Sequence, residues 1–246
     1  MLSTHLAPFT SSLLNLPGMV APAFSGNEPR FQVAFSFFDR SSQWGYRLQQ
    51  MGKRSFDIVA ATLGLLAISP LLAIIAVLIK LGSDGPVFYK SERIGKHYQP
   101  FYMYKFRTMG VDADAKREAL REQANLQGEL FKLANDPRIT KVGKVLRALS
   151  LDELPQLLNV LRGEMSLVGP RPLPADESKL FDEPYTIRFQ VYPGITGLWQ
   201  VSGRSNLNFE QLCKLEMSYV MNWSLLQDLK ILLKTLPAVL ASRGAC

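Results

Sequence analysis

Apolar residues run without a charge from Ile58 to Ile79, between Asp57 and Lys80, with Ser69-Pro70 near the centre. A helix of about 22 residues is long enough to span a hydrocarbon core of roughly 30 Å, so this pattern predicts membrane contact. Pro70 lacks an N–H and its ring crowds the Leu66 carbonyl four residues back. Lys53 and Arg54 precede the run, and Lys80, Lys90, Arg93 and Lys96 follow it. Lys and Arg collect on the cytoplasmic side of a crossing, so basic residues at both ends point to a helix that enters, bends at Ser69-Pro70 and returns. A single crossing with a proline kink gives the same string, as does a long buried helix. A kink by itself does not force reversal.

The remaining pattern predicts shorter elements. Val87 to Lys90 and Phe101 to Phe106 read as strands, the second by alternation. Ala113 to Leu133 has the charged composition of a solvated helix, ended by Asn135-Asp136-Pro137. Thr140 to Leu149 places Val142, Val145, Leu146 and Leu149 on one helical face. Leu157, Leu158, Val160 and Leu161 give the next helix an apolar face, and Gly163 is placed to end it. Met165 to Val168 is a strand candidate. Phe209 to about Leu240 reads as one amphipathic region, suited to a membrane interface; a helix packed on a soluble core reads the same. Pro8, Pro17, Pro22 and Pro29 interrupt the start of the chain, where Phe31 to Phe38 is a short strand or an interfacial patch. These signals divide the chain into an irregular extension (1–48), a membrane helix hairpin (49–82) and a domain of mixed short strands and helices (83–246).

Composition narrows the partners. The chain has 246 residues and a formal net charge of +7, which favours an anionic partner such as lipid headgroups or nucleotide phosphates. The basic residues are dispersed and no nucleic-acid motif is present, so nucleic acid is not expected. Cys213 and Cys246 are too few for a disulfide framework and suit a reducing compartment. No signal peptide is expected, since the first basic residue is Arg30 and Leu13 to Leu16 is too short an apolar core. His5 and His97 stand alone, and neither a Walker loop nor a Gly-x-Gly-x-x-Gly turn occurs.

Candidate chemistry concentrates at Ser150-Leu151-Asp152-Glu153-Leu154-Pro155. Ser150 with Glu153 fits a capping box, and Asp152 fits an N-cap. The same positions fit catalysis. Carboxylates at a helix start are favoured by the macrodipole, one can hold a cation, and an ionised carboxylate is a competent nucleophile toward phosphorus. Mg²⁺ takes one or two carboxylates and completes its shell with phosphate oxygens and water. Arg138, Lys141, Lys144 and Arg147 lie before this stretch, Arg162 and Arg171 after it, and Lys105 and Arg107 on the second strand. Acids for a cation plus several Lys/Arg are what phosphoryl transfer asks for. Pro170 and Pro172 stiffen the loop that presents Arg171, a residue type suited to bidentate phosphate binding.

These stretches resemble the bacterial sugar transferases, the monotopic polyprenyl-phosphate phosphoglycosyl transferases that prime exopolysaccharide, O-antigen and glycoprotein glycans. The likeness runs from Lys53 to about Thr235. It rests on Lys53-Arg54-x-x-Asp57, Ser69-Pro70, Tyr104 to Met109 and Asn135 to Thr140. It continues through Leu146 to Gln156, Val168 to Pro172, Pro193 to Gly197 and Asn222 to Leu225. The resemblance implies a helix-rich α/β enzyme with a re-entrant helix-break-helix and interfacial amphipathic helices, working at the cytoplasmic face of the inner membrane in one leaflet. It implies Asp152 as nucleophile on a UDP-sugar, release of UMP, and passage of the phosphosugar to undecaprenyl phosphate. Glu153, beside Asp152, maps to the Mg²⁺ partner; Arg147, Arg171, Lys105 and Arg107 map to basic positions suited to phosphate. Glucose or galactose is the expected sugar, and a homodimer fits the family. Glu216 stands where the family often has aspartate. On residues alone, a metal-dependent phosphate hydrolase and a non-catalytic membrane scaffold stay open.

Overall fold

A computed structural model describes residues 40–113, 115–116, 136–181, 184–203 and 207–240. Most of the helix expected over 113–133 and the patch expected over 31–38 lie outside them. Helix α1 (Arg40–Gly82) begins inside the stretch read as irregular and leads to a two-stranded antiparallel hairpin, β1 (Phe88–Ile94) and β2 (Pro100–Phe106). Helices α2 (Lys141–Ala148) and α3 (Leu157–Arg162) follow, joined by a 3-10 turn (Leu151–Gln156). Strand β3 (Ser166–Val168) pairs in parallel with β4 (Gly194–Thr196), with the short α4 (Ala175–Ser178) and a second 3-10 turn (Tyr185–Gln190) between them. Helices α5 (Leu198–Ser202), α6 (Phe209–Met221) and α7 (Leu225–Leu240) complete the helix-rich α/β fold.

Two expectations about helices need correction. Helix α1 is continuous through Ser69-Pro70 rather than broken there. Pro70 removes the donor that the Leu66 carbonyl needs, and the Ser69 hydroxyl donates to that carbonyl at 2.9 Å instead. The serine thus restores the bond that the proline removes. The region from 209 onward is two helices, because Ser224 starts a new one: its side chain accepts from the Gln227 N–H at 3.1 Å, an N-cap interaction.

One face of α1 packs on the rest of the chain on both sides of Pro70. Ala61 meets Phe101, Met103, Val160 and Met165, while Ile75 and Ile79 meet Phe106 and Leu146. Burying each isoleucine contributes about 1.5–3 kcal/mol. The other face exposes Val59, Leu63, Leu66, Ile74, Val77 and Leu81. Only 11% of the most apolar stretch is buried, which separates α1 from the core helix of a soluble protein. An exposed apolar stripe of this length marks a membrane or protein contact.

The charges that flank the apolar run hold α1 in place. Lys53 pairs with Asp228 and donates to the Val168 carbonyl at 3.0 Å. Arg54 caps the C-terminus of α3 through the carbonyls of Val160 (2.6 Å) and Leu161 (3.0 Å). Asp57 accepts from the Ser166 hydroxyl at 2.7 Å and the Leu167 N–H at 3.1 Å. The Lys53-Arg54-x-x-Asp57 motif is therefore a clasp that fixes α1 to β3 and α3.

Candidate active site

Strand β2, the Leu151–Gln156 turn, the end of α2 and the loop after β3 surround an open cavity of about 1110 Å³. Lys105, Arg138, Arg147, Asp152, Glu153 and Arg171 line its polar part. Leu157, Leu167, Ile195, Leu232 and Val239 line an apolar part of the same cavity.

The turn that carries the acids is built for placement. Thr140 caps α2 by accepting from the Gly143 N–H at 2.9 Å. At Gly143 a Cβ would come within 2.0 Å of the Thr108 carbonyl oxygen, so only glycine lets α2 approach that strand exit. Ser150 then takes a left-handed conformation, φ 55°, and makes no side-chain cap. Such a conformation is uncommon for a residue with a Cβ and costs about 1–2 kcal/mol. The capping box expected between Ser150 and Glu153 does not form, since the Ser150 side chain makes no cap and Glu153 Oε1 accepts from Lys105. Asp152 and Glu153 are therefore not explained as caps. Asn159, wholly buried, ties α3 to β2: its side chain accepts from the Tyr104 N–H at 3.0 Å and donates to the Tyr102 carbonyl at 2.7 Å. Sequence reading passed over it, although one polar residue among Leu157, Leu158, Val160 and Leu161 was the available signal.

The carboxylates differ in their partners. Glu153 Oε1 accepts from Lys105 Nζ at 2.9 Å and lies 3.4 Å from Arg171 Nη2. Asp152 Oδ2 lies 4.0 Å from Lys105 Nζ, and no hydrogen bond reaches its carboxylate among the described residues. Asp152 is only 8% exposed. Burial pushes its carboxyl above the ordinary range, with the Lys105 ammonium pulling the other way and the Glu153 charge adding to the rise. An unquenched, basic carboxylate facing a cavity rimmed by cations can attack an electrophilic phosphorus, and the cations can stabilise the oxygens around it.

The other expected residues are placed as follows. Arg147 lines the cavity and acts on the charge of both Asp152 and Asp136. Arg138 is engaged by Asp136, whose carboxylate it holds below the usual range. Arg107 borders the cavity, and its guanidinium donates to the Ser83 and Asp84 carbonyls, so it also clamps the turn after α1. Ser69 and Pro70 lie within α1, apart from the acids and outside the cavity lining. Arg188 and Glu216, an ion pair with both side chains 3% exposed, were not foreseen together; they are 28 residues apart and no local pattern links them.

Comparison with known proteins gives a consistent picture. The family model described as bacterial sugar transferase matches residues 48–242. The exopolysaccharide production protein ExoY of Rhizobium meliloti is 48% identical over 202 residues, covering 79% of this chain and 88% of that protein. The undecaprenyl-phosphate galactose phosphotransferase of Salmonella typhimurium is 40% identical over 239 residues, covering 92% of this chain and 50% of that protein. The undecaprenyl-phosphate glucose phosphotransferase of Komagataeibacter xylinus is 40% identical over 218 residues, covering 83% and 38%. The chain thus spans half or less of these two longer phosphotransferases.

Proposed function

The chain belongs to the bacterial sugar transferase family, and on that premise we propose that it transfers a sugar 1-phosphate from a UDP-sugar to undecaprenyl phosphate, priming exopolysaccharide synthesis. The observation that carries the mechanism is Asp152: buried, without a hydrogen bond among the described residues, and facing the cation-lined cavity. Its carboxylate oxygen attacks the phosphorus that bears the sugar. The bond to the bridging oxygen breaks, UMP leaves with that oxygen, and Asp152 holds the phosphosugar as an acyl-phosphate. An oxygen of the lipid phosphate then attacks the same phosphorus and displaces the Asp152 carboxylate. Lys105, Arg147 and Arg171 offset the charge that gathers on the phosphoryl oxygens, and electrostatic placement of this kind is the main protein contribution to phosphoryl transfer.

Glu153, with Asp152 beside it, offers the hard oxygen donors that suit Mg²⁺. No cluster of three or more His, Cys, Asp or Glu occurs among the described residues, so the donor set fits a cation that shares substrate phosphate oxygens rather than a closed protein cage. Bound there, Mg²⁺ would neutralise diphosphate oxygens. Glu153 meanwhile orients Lys105 and Arg171 through its own carboxylate.

For the membrane, the reading is attachment to the cytoplasmic leaflet of the inner membrane without crossing. It is supported by the contacts of α1 with the same domain on both sides of Pro70, while the opposite face stays apolar and exposed. The continuous helix is compatible with that path because Ser69 satisfies the Leu66 carbonyl.

The test is UMP release from UDP-glucose, UDP-galactose and their N-acetyl counterparts, with and without undecaprenyl phosphate. Lipid-dependent turnover with a hexose donor is the expected result. Turnover that ignores the lipid would make the protein a hydrolase, and none with any donor would leave a scaffold.

A further inference from the structure

Among the described residues, the peptide groups of Arg171 have no backbone partner, although their neighbours do. Gly169 N–H donates to the Thr196 carbonyl at 2.9 Å, the Pro170 carbonyl accepts from Gly194 N–H at 2.8 Å, and the Leu173 carbonyl accepts from Ile94 N–H at 2.9 Å. Pro170 and Pro172 have no N–H to offer. At Arg171 the partners are side chains. Its N–H donates to Glu216 Oε1 at 3.1 Å, and its carbonyl accepts from Arg188 Nη2. Arg188 and Glu216 are themselves joined, Nε to Oε2, at 2.7 Å. The Arg188 guanidinium lies 4.3 Å from the Phe181 ring centre and 5.3 Å from that of Phe189.

Stability is a weak account of this pair. Desolvating two charges opposes their attraction, and apolar replacements of equal volume are often neutral or better. Burial pushes the Glu216 carboxyl upward, and the Arg188 charge opposes it. What an apolar pair cannot supply is one acceptor and one donor aimed at the two peptide groups of a single residue. That residue sends its guanidinium to within 3.4 Å of Glu153 at the cavity.

We infer that Glu216 and Arg188 are positioning residues for Arg171: gripping its N–H and carbonyl, they hold its guanidinium where the phosphate oxygens of the donor arrive. The inference rests on the sugar 1-phosphate transfer read above. Neither residue touches substrate; both act through the Arg171 backbone. Glu216→Leu combined with Arg188→Met removes both charges and keeps much of the volume, while leaving the Arg171 peptide groups without their partners.

The experiment is a cycle of this double change against Arg171→Ala in the full chain. It reads UMP release, the dissociation constant of inorganic pyrophosphate by calorimetry, and thermal unfolding. The expected result is a Tm close to wild type, a roughly 10–100-fold loss in kcat/KM, and weaker pyrophosphate binding. In the Arg171→Ala background the double change should add almost nothing, because groups acting through one another are not additive. Wild-type turnover in the Leu/Met variant, or losses that multiply with Arg171→Ala, would overturn the inference. If that variant does not fold, Arg188→Met alone, which removes the donor to the Arg171 carbonyl, takes its place in the cycle with the same expectations and the same overturning results. A wild-type protein that binds pyrophosphate but makes no UMP would remove the transferase reading alone. The cycle is then decided on pyrophosphate affinity, and binding that does not depend on Arg171, or no binding, counts against the positioning role.

Discussion

Two of the places where the protein buries carboxylates treat them in opposite ways. At the clasp, Asp228 accepts from Lys53, from the Tyr219 hydroxyl at 2.8 Å and from the Trp223 indole at 3.2 Å, and Asp57 is held by Ser166 and Leu167. At the cavity, Asp152 has a lysine 4.0 Å away and no hydrogen bond among the described residues. Both groups are removed from water. A buried carboxylate that is fully partnered has its lone pairs committed and serves as a fastener. One that is buried without donors keeps its lone pairs and its basicity for chemistry. Burial alone does not identify a catalytic acid; the accounting of its partners does.

The comparison breaks most decisively if Asp152→Asn keeps its activity. Asparagine has nearly the same shape but cannot form the acyl-phosphate, so turnover should fall by about 10³-fold or more, the scale on which loss of a nucleophile acts. The same variant should melt no lower than wild type at neutral pH. The native Asp152 pKa lies above its unfolded value, so the folded state prefers the protonated, neutral form. The stability tied to that preference is fully present at low pH and is lost as pH rises through the native pKa. Asparagine is neutral throughout, and a large fall in Tm would contradict the placement of Asp152.

Next in size is the clasp. Asp228→Ala takes the carboxylate away from Lys53, Tyr219 and Trp223 at once, which should cost about 3–5 kcal/mol in denaturant unfolding. A loss under about 1 kcal/mol, the range of an exposed pair, would show that the clasp is not a fastener. Ser166→Ala removes one donor from Asp57 and should cost about 1–3 kcal/mol, with kcat per folded molecule unchanged. A matching loss in kcat would tie the clasp to the chemistry. The smallest effect is in pH. In the proposed mechanism Asp152 attacks in its ionised form, and burial raises its pKa, so the acidic limb of kcat/KM should lie above the ordinary carboxylate range. A limb at the usual value would mean that water or a neighbouring cation reaches Asp152 after all.

Much of the fold was legible because its signals are local. The second strand, the helix near Thr140 and Gly163 after α3 follow from alternation, periodicity and a left-handed stop at φ 80°. The pairing of Asp152 with Glu153 and the basic residues around them were legible as a set. What stayed hidden depends on partners far along the chain. Lys53 and Arg54 read as membrane-flanking charges, yet one closes on Asp228 and the other on the end of α3. Arg107 reads as a phosphate ligand, and its contacts with the carbonyls of Ser83 and Asp84 are not legible from the string. Ser69 looks like part of a break, and it repairs the helix because its hydroxyl reaches one turn back.

The packing of α1 also decides what can be separated from what. Ile75 and Ile79 touch Phe106 and Leu146, next in sequence to Lys105 and Arg147, and Leu151, the neighbour of Asp152, joins the same cluster. Helix α1 thus packs behind residues that neighbour the lining of the cavity. A soluble version made by cutting after residue 82 would lose the surface against which its reactive side chains are set. The seating of α1 and the setting of the cavity are one mechanical part, so trimming the helix away takes with it part of what holds the reactive side chains in place.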